Sequence, residues 1–144
     1  MNNNMQELIN TPGVRLYGID FLEGIFLSNM QEKDVYTDLL NVKFPPNREY
    51  FQGIYKKSLY LTKMPKQEYS DYNFKDIDIS KCIFHKDSKL PSNTDFFQNI
   101  RDKSLEGTVL PSGSYCNYDF SNVLLRDFKI TKYIDIPKNK VFFQ

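Results

Sequence analysis

The chain has no alanine and no tryptophan, and it has only one histidine and two cysteines among 144 residues. With only Cys82 and Cys116 present, at most one disulfide could form, which excludes a disulfide-stapled secreted scaffold and predicts two free thiols. His85 is the sole histidine, and no Cys/His group has the close spacing that a zinc site requires. We therefore expect no metal and no cofactor.

Long apolar runs are also missing. No stretch reaches the roughly 18 consecutive apolar residues that a membrane span needs, and Met1–Asn4 lacks the basic and then apolar layout of a signal peptide. The sequence therefore predicts a cytoplasmic protein with no membrane partner, with a secreted bacterial effector as the alternative. Abundant Asn, Lys, Ile, Tyr and Phe favour an AT-rich coding sequence, as in a low-GC bacterium or its phage. The sequence says nothing about the oligomeric state.

Charge of one sign is not concentrated in this chain, whose formal net charge is +1. Residues 1–41 hold two basic and six acidic side chains, a sum of −4, so the remaining residues sum to +5. A DNA mimic carries a dense acidic surface and a strong nucleic-acid binder a dense basic one. The sequence shows neither.

What the sequence does contain is an internal repeat with a period of 46 residues. The two units are adjacent and share 15 identical positions of 46. Among the identical pairs are Pro45 and Pro91, Phe51 and Phe97, and Tyr69 and Tyr115. We divide a single repeat domain, 1–144, into a degenerate N-terminal repeat or cap at 1–41, a first unit at 42–87, a second unit at 88–133, and the start of a third at 134–144.

Each unit is predicted to begin with a short amphipathic helix of about three turns. In the second unit Asn93 is suited to cap the helix, and Phe96, Phe97 and Ile100 fall on one face at helical spacing. Gly107 is the predicted stop, and the first unit repeats the same plan at its matching positions.

The second half of each unit has apolar residues at alternating gaps of two and three, which gives a period of five. Asp71-Tyr72-Asn73-Phe74-Lys75 and Asn117-Tyr118-Asp119-Phe120-Ser121 show the pattern. These stretches resemble the pentapeptide-repeat proteins, in which Asp or Asn precedes Leu or Phe, although bulky residues such as Tyr72 replace the family's small one. The resemblance implies a right-handed β-helix. The predicted fold class is therefore α+β: a solenoid-like repeat domain of β-helix-like pentad coils interrupted by short helices.

Recurring aromatic side chains are predicted to build the core, because every copy of a repeat needs the same packing. The predicted core aromatics are Tyr69, Tyr72, Phe74, Tyr115, Tyr118 and Phe120. A catalytic Cys-His pair would have to combine Cys82 with His85, but the period of five points these side chains to opposite sides. Neither residue recurs in the other unit. The sequence therefore favours a protein that is not an enzyme.

One basic and aromatic stretch is the candidate binding site. It comprises Tyr55, Lys56, Lys57, Tyr60, Lys63 and Lys66. Aromatic residues interleave with lysines in this way on some nucleic-acid surfaces. Two other interpretations are a solvated helix end with lysines near its C-terminal dipole and a surface for an acidic protein.

The leading functional hypothesis is a non-catalytic protein-interaction module on a pentapeptide-like repeat scaffold, forming part of a bacterial or phage effector or inhibitor. Repeat scaffolds commonly act by binding along an extended face. Its partner would be another protein. The alternatives are a nucleic-acid-binding protein that uses the patch from Lys56 to Lys66, a partner class we favour less, and an enzyme with a carboxylate site.

Overall fold

A computed structural model describes residues 5–22, 25–26 and 42–131 of the chain. Two α-helices are present there, α1 at Met5–Ile9 and α2 at Phe96–Asn99. Single 3-10 turns span Tyr50–Gly53, Tyr55–Lys57 and Arg101–Lys103. The start of the third repeat at 134–144 and part of the predicted cap lie outside the described residues.

The strands are only two residues long. β1, Ile19–Asp20, pairs antiparallel with β2, Ile25–Phe26, and β3, Val109–Leu110, pairs parallel with β4, Lys129–Ile130. Further pairing within the described part consists of isolated parallel bridges, such as Ser58 with Asp78 and its counterpart, Ser104 with Leu124.

The predicted solenoid of β-helix-like coils is therefore wrong. A β-helix needs runs of extended residues that stack into continuous sheets, whereas the sheets here have two strands of two residues each. The reason lies in the backbone. Left-handed residues recur every few positions and end each extended run. They are Lys56, Lys57, Leu61, Asp76, Lys81, Asp102, Lys103, Asn122 and Asp127.

The three-turn helices are also wrong, because each is interrupted after one turn. Ile54 and Ile100 have extended backbones, with ψ of 160° and 161°, and bury their side chains. The chain then enters a second short turn that contains left-handed Lys56 or Asp102. Gly107 does not end a helix. It adopts a φ of +68°, and a Cβ there would lie 2.7 Å from Cγ of Lys81.

Aromatic packing is equivalent in the two units. Phe51 stacks on Phe74 with ring centroids 5.0 Å apart, and Phe97 stacks on Phe120 at 4.8 Å. Tyr69 and Tyr115 each donate a 2.7 Å hydrogen bond to the carbonyl oxygen of the proline four residues earlier. These hydroxyls therefore have the partner that a buried tyrosine requires.

The prediction of an aromatic core is confirmed. Five of the six predicted side chains are buried, and Tyr118 is half-buried with its hydroxyl on the carbonyl oxygen of Pro91 at 2.6 Å. Phe74 also packs edge-on against Phe96 at 5.6 Å. This contact joins the aromatic groups of the two units into one core.

Candidate protein-interaction surface

The turn Tyr55–Lys57 is held on both sides by backbone hydrogen bonds. The N–H of Tyr55 donates to the carbonyl oxygen of Val14 at 2.9 Å, and the carbonyl oxygen of Lys57 accepts from the N–H of Asp78 at 3.0 Å. Ile54 anchors the turn in the core with 5% of its surface exposed. Because the backbone is fixed and Ile54 points inward, Tyr55 and Lys56 are left on the surface, and Tyr55 is 45% exposed.

Four side chains form a stack on this surface. The guanidinium of Arg15 lies 4.2 Å from the ring centroid of Tyr17. That ring stacks on Tyr55, with centroids 6.2 Å apart and an angle of 23° between the planes. The amino group of Lys56 lies 5.4 Å from the ring centroid of Tyr55. Each tyrosine ring thus contacts a cation and the other tyrosine, and cation–π attraction stabilises the arrangement.

A second group of cations surrounds Asp76 beside the same turn. Arg101 donates to the carbonyl oxygen of Lys56 at 2.9 Å, and two of its nitrogens lie 3.4 Å from the carboxylate oxygens of Asp76. The hydrogen bonds and charge of Arg101, with smaller effects from Lys57 and Lys75, hold the pKa of the Asp76 carboxyl below its usual value. Positive charge therefore exceeds negative charge at this position.

We call these two groups together the cationic surface. Its members are Arg15, Tyr17, Tyr55, Lys56, Lys57, Lys75, Asp76 and Arg101. They come from four separate stretches of the chain, and backbone pairing brings those stretches together.

Only three of the six predicted binding residues, Tyr55, Lys56 and Lys57, belong to this surface. Lys81 lies over the ring of Tyr60, with 5.9 Å between the amino group and the centroid. Lys63 forms an ion pair at 3.5 Å with Asp20, whose side chain is 3% exposed.

Lys66 faces a third set of neighbours. It is exposed and lines a groove of about 300 Å³ together with Leu22 and His85. The chain turns at Leu61, where φ is +60°, so the residues on either side of it reach different neighbours. The predicted patch is therefore divided, and its second half does not join the cationic surface.

The sequence interpretation missed Arg15, Tyr17, Lys75 and Arg101. One signal was available for Arg101, because it occupies the position of Tyr55 one repeat later. Arg15, Tyr17 and Lys75 reach the surface only through pairing between distant stretches, which composition and spacing do not reveal.

Cys82 and His85, the candidate reactive residues, are engaged in burial and in a backbone hydrogen bond. Cys82 is fully buried, and burial raises the pKa of its thiol well above the usual value, which disfavours the nucleophilic thiolate. Nδ1 of His85 accepts a 3.0 Å hydrogen bond from the backbone N–H of Asp87. Both cysteines are free thiols, as predicted. No group of three or more His, Cys, Asp or Glu side chains within the described ranges is arranged to hold a metal ion.

A groove of about 380 Å³ lies between the two units, and we call it the inter-unit groove. Phe74 and Phe96, both buried, are among the aromatic side chains that line it. Asn73 and Asn93 contribute amides, and Arg48 contributes a cation that also faces Glu49 at 3.7 Å.

Side-chain hydrogen bonds hold one wall of the inter-unit groove in place. The side-chain amide of Gln52 donates to the carbonyl oxygens of Asn73 at 3.1 Å and of Lys75 at 2.9 Å. Gln98 makes the same two bonds one repeat later, to Asp119 and Ser121. The repeat therefore fixes this stretch of backbone in the same way in both units.

Comparison with known proteins gave no match: no family model, no curated protein and no solved structure corresponds to this chain. The resemblance to pentapeptide-repeat proteins stays a prediction from the stretches quoted above. Within the part of the chain that the structure describes, no helix is long and apolar enough to cross a lipid bilayer.

Proposed function

We propose that this protein is a non-catalytic protein-interaction module whose cationic surface binds an acidic segment of a partner protein. The observation that supports this most directly is the stack of Arg15, Tyr17, Tyr55 and Lys56, in which Tyr55 and Lys56 are exposed. Tyrosine and arginine are enriched where proteins bind one another, because they combine contact area with hydrogen-bonding groups.

The charges beside the stack favour an acidic partner. The charges of Arg101, Lys57 and Lys75 act on the carboxylate of Asp76, which forms an ion pair with Arg101 at 3.4 Å. Additional carboxylates supplied by a partner would meet cations on both sides of the tyrosine pair. Complementary charge of this kind accelerates association and selects among partners more than it adds affinity.

The same stack argues against nucleic acid as the partner. Single-stranded nucleic acid binds through bases that stack on aromatic faces. Here both rings already contact a cation and each other, because Arg15 lies over Tyr17, Tyr17 stacks on Tyr55, and Lys56 lies over Tyr55. A base would have to compete with these contacts, whereas a carboxylate would pair with the cations that lie over the rings.

We also propose that the module works in the cytoplasm. Cys82 and Cys116 are both free thiols, and Cys116 is exposed. Exposed thiols persist in the reducing cytoplasm and tend to oxidise outside it.

The test uses a variant whose backbone compatibility the chain itself demonstrates. Lys56→Asp introduces the residue found at the matching position of the second unit, Asp102, where φ is 57° compared with 56° at Lys56. We expect fluorescence anisotropy to detect binding of a hexaglutamate peptide to the wild type and an affinity about tenfold lower for the variant.

The control is Lys86→Asp, which makes the same charge change at an exposed residue outside the cationic surface. It should leave the affinity nearly unchanged. An equal loss in both variants would show that net charge alone governs binding, and tighter binding of oligothymidylate than of hexaglutamate at the same salt concentration would overturn the proposal in favour of nucleic acid.

A further inference from the structure

The inter-unit groove is continuous with the cationic surface. Lys75 belongs to both, because it lines the groove and its charge acts on Asp76. Asn99 also lines the groove, and its carbonyl oxygen accepts a 2.8 Å hydrogen bond from the backbone N–H of Asp76. The groove therefore adjoins the cationic surface at Lys75 and Asp76.

The groove offers two kinds of contact. Phe74 and Phe96 form its apolar part, with 3% and 4% of their surfaces exposed. The amides of Asn73, Asn93 and Asn99 already bond to Glu49 or Asp95, and each keeps a second N–H that can pair with a peptide backbone. Its volume of about 380 Å³ is within the range of about 300–1,000 Å³ that is usual for binding pockets. A side chain of moderate size can enter it.

Two cations, Arg48 and Lys75, line the groove. Two carboxylates border it, because the amide of Asn73 donates to Glu49 at 3.0 Å and that of Asn93 donates to Asp95 at 2.7 Å. Lys75 forms no ion pair within the described ranges, whereas Arg48 is partly neutralised by Glu49 at 3.7 Å. Lys75, next to Asp76 in the sequence, therefore supplies the positive charge that the groove shares with the cationic surface.

These cations are specific to one unit. Thr94 and Ser121 occupy the positions of Arg48 and Lys75 one repeat later, although Gln98 fixes the local backbone in the same way. Packing within the repeat therefore does not require a cation at either position.

We infer that the partner segment is an extended acidic peptide with an apolar side chain next to its acidic residues, and that this side chain enters the inter-unit groove while the acidic residues lie on the cationic surface. The inference rests on the proposed function. It narrows the partner from any acidic segment to one in which an apolar residue directly adjoins the acidic run.

The experiment compares two peptides on the wild-type protein, hexaglutamate and hexaglutamate followed by two leucines. The leucine-bearing peptide should bind about tenfold more tightly, because burial of one leucine side chain contributes about 1.5–3 kcal/mol before ordering is subtracted. Asn99→Tyr, whose ring would fill the groove, should remove this preference and leave hexaglutamate binding unchanged. Lys56→Asp should weaken both peptides and keep their ratio.

The possible outcomes distinguish failure of the groove inference from failure of the proposed function. Equal affinity of the two peptides for the wild type would overturn the groove inference and leave the proposed function intact. Failure of both peptides to bind would overturn both. A preference for leucine that survives in Asn99→Tyr, with the fold of the variant verified by circular dichroism, would place the apolar contact elsewhere and reject the groove.

Discussion

The first unit carries Tyr55 and Lys56 where the second unit carries Arg101 and Asp102, yet the backbone of the two turns is nearly the same. Lys56 has a φ of 56° and Asp102 a φ of 57°. By contrast, several residues that pack inward are identical, as with Phe51 and Phe97. The comparison teaches that the repeat retains its packing while its surface differs between units, so a site found in one unit is not duplicated in the other.

The largest effect is expected when the same core residue is truncated in each unit, which tests whether the two units pack equally well. Phe51 and Phe97 are both fully buried and make equivalent stacking contacts. Replacement of either by alanine should lower the free energy of unfolding by about 3–5 kcal/mol. Urea denaturation of the two variants should give losses that agree within about 1 kcal/mol.

Leu124→Ala is the matched control, because Leu124 is 46% exposed and its truncation should change stability by less than about 0.5 kcal/mol. A large loss for one phenylalanine variant and a small loss for the other would show that the two units are unequal in packing despite their shared sequence.

The matching tyrosines Tyr69 and Tyr115 should make the stability of both units depend on pH in the same way. Burial is the main cause that raises the pKa of both Tyr69 and Tyr115, and each hydroxyl donates to a proline carbonyl oxygen. The unfolded chain releases these protons near pH 10 and the folded chain at higher pH, so the folded state holds more protons above pH 10. Stability therefore falls as the pH rises there, by up to about 1.4 kcal/mol per pH unit for each tyrosine.

Tyr69→Phe and Tyr115→Phe should each make that decline less steep, by a similar amount. Urea denaturation at a series of alkaline pH values measures the slope, and absorbance of the tyrosinate ion follows the ionisation directly. An unchanged slope in either variant would mean that its tyrosine ionises equally well in the folded chain.

The smallest expected effect concerns two buried threonines whose partners lie in different regions. Thr62 donates to the carbonyl oxygen of Leu16 at 3.0 Å, and Thr108 donates to that of Ile79 at 2.8 Å. Replacement of either by valine removes the donor at nearly constant volume and should cost about 1 kcal/mol in thermal or urea denaturation.

Thr131→Val serves as the reference, since Thr131 is exposed although its hydroxyl also donates to a backbone carbonyl oxygen, that of Leu110. It should cost less. If Thr62→Val proved as mild as this reference while Thr108→Val did not, the N-terminal stretch that holds Leu16 would be attached less firmly than the two units are to each other.

Sequence reasoning succeeded where a feature depends on repetition. The recurrence of Tyr69 as Tyr115 and of Phe74 as Phe120 predicted a shared aromatic core, because equivalent positions need equivalent packing. The fold class was wrong for a local reason. Side-chain spacing does not report φ, and left-handed residues such as Lys81 and Lys103 belong to types that rarely adopt that conformation.

The candidate site could be predicted only in part. Tyr55, Lys56 and Lys57 are neighbours in sequence and stay together in one turn. Lys75 and Arg101 join them because stretches 20 or more residues apart pair through their backbones, and one sequence contains no signal for that pairing. The inter-unit groove is a product of the same pairing and was not predicted.

The left-handed residues also have a consequence for protein engineering. Five of them, Lys56, Lys57, Leu61, Lys81 and Lys103, are of types for which this conformation costs roughly 1 kcal/mol or more compared with glycine. Glycine at Leu61, outside the cationic surface, would relieve part of this strain, and the second unit already carries glycine at the matching position, Gly107, where φ is +68°. A more stable parent protein of this kind would tolerate more destabilising substitutions on the cationic surface before it unfolds.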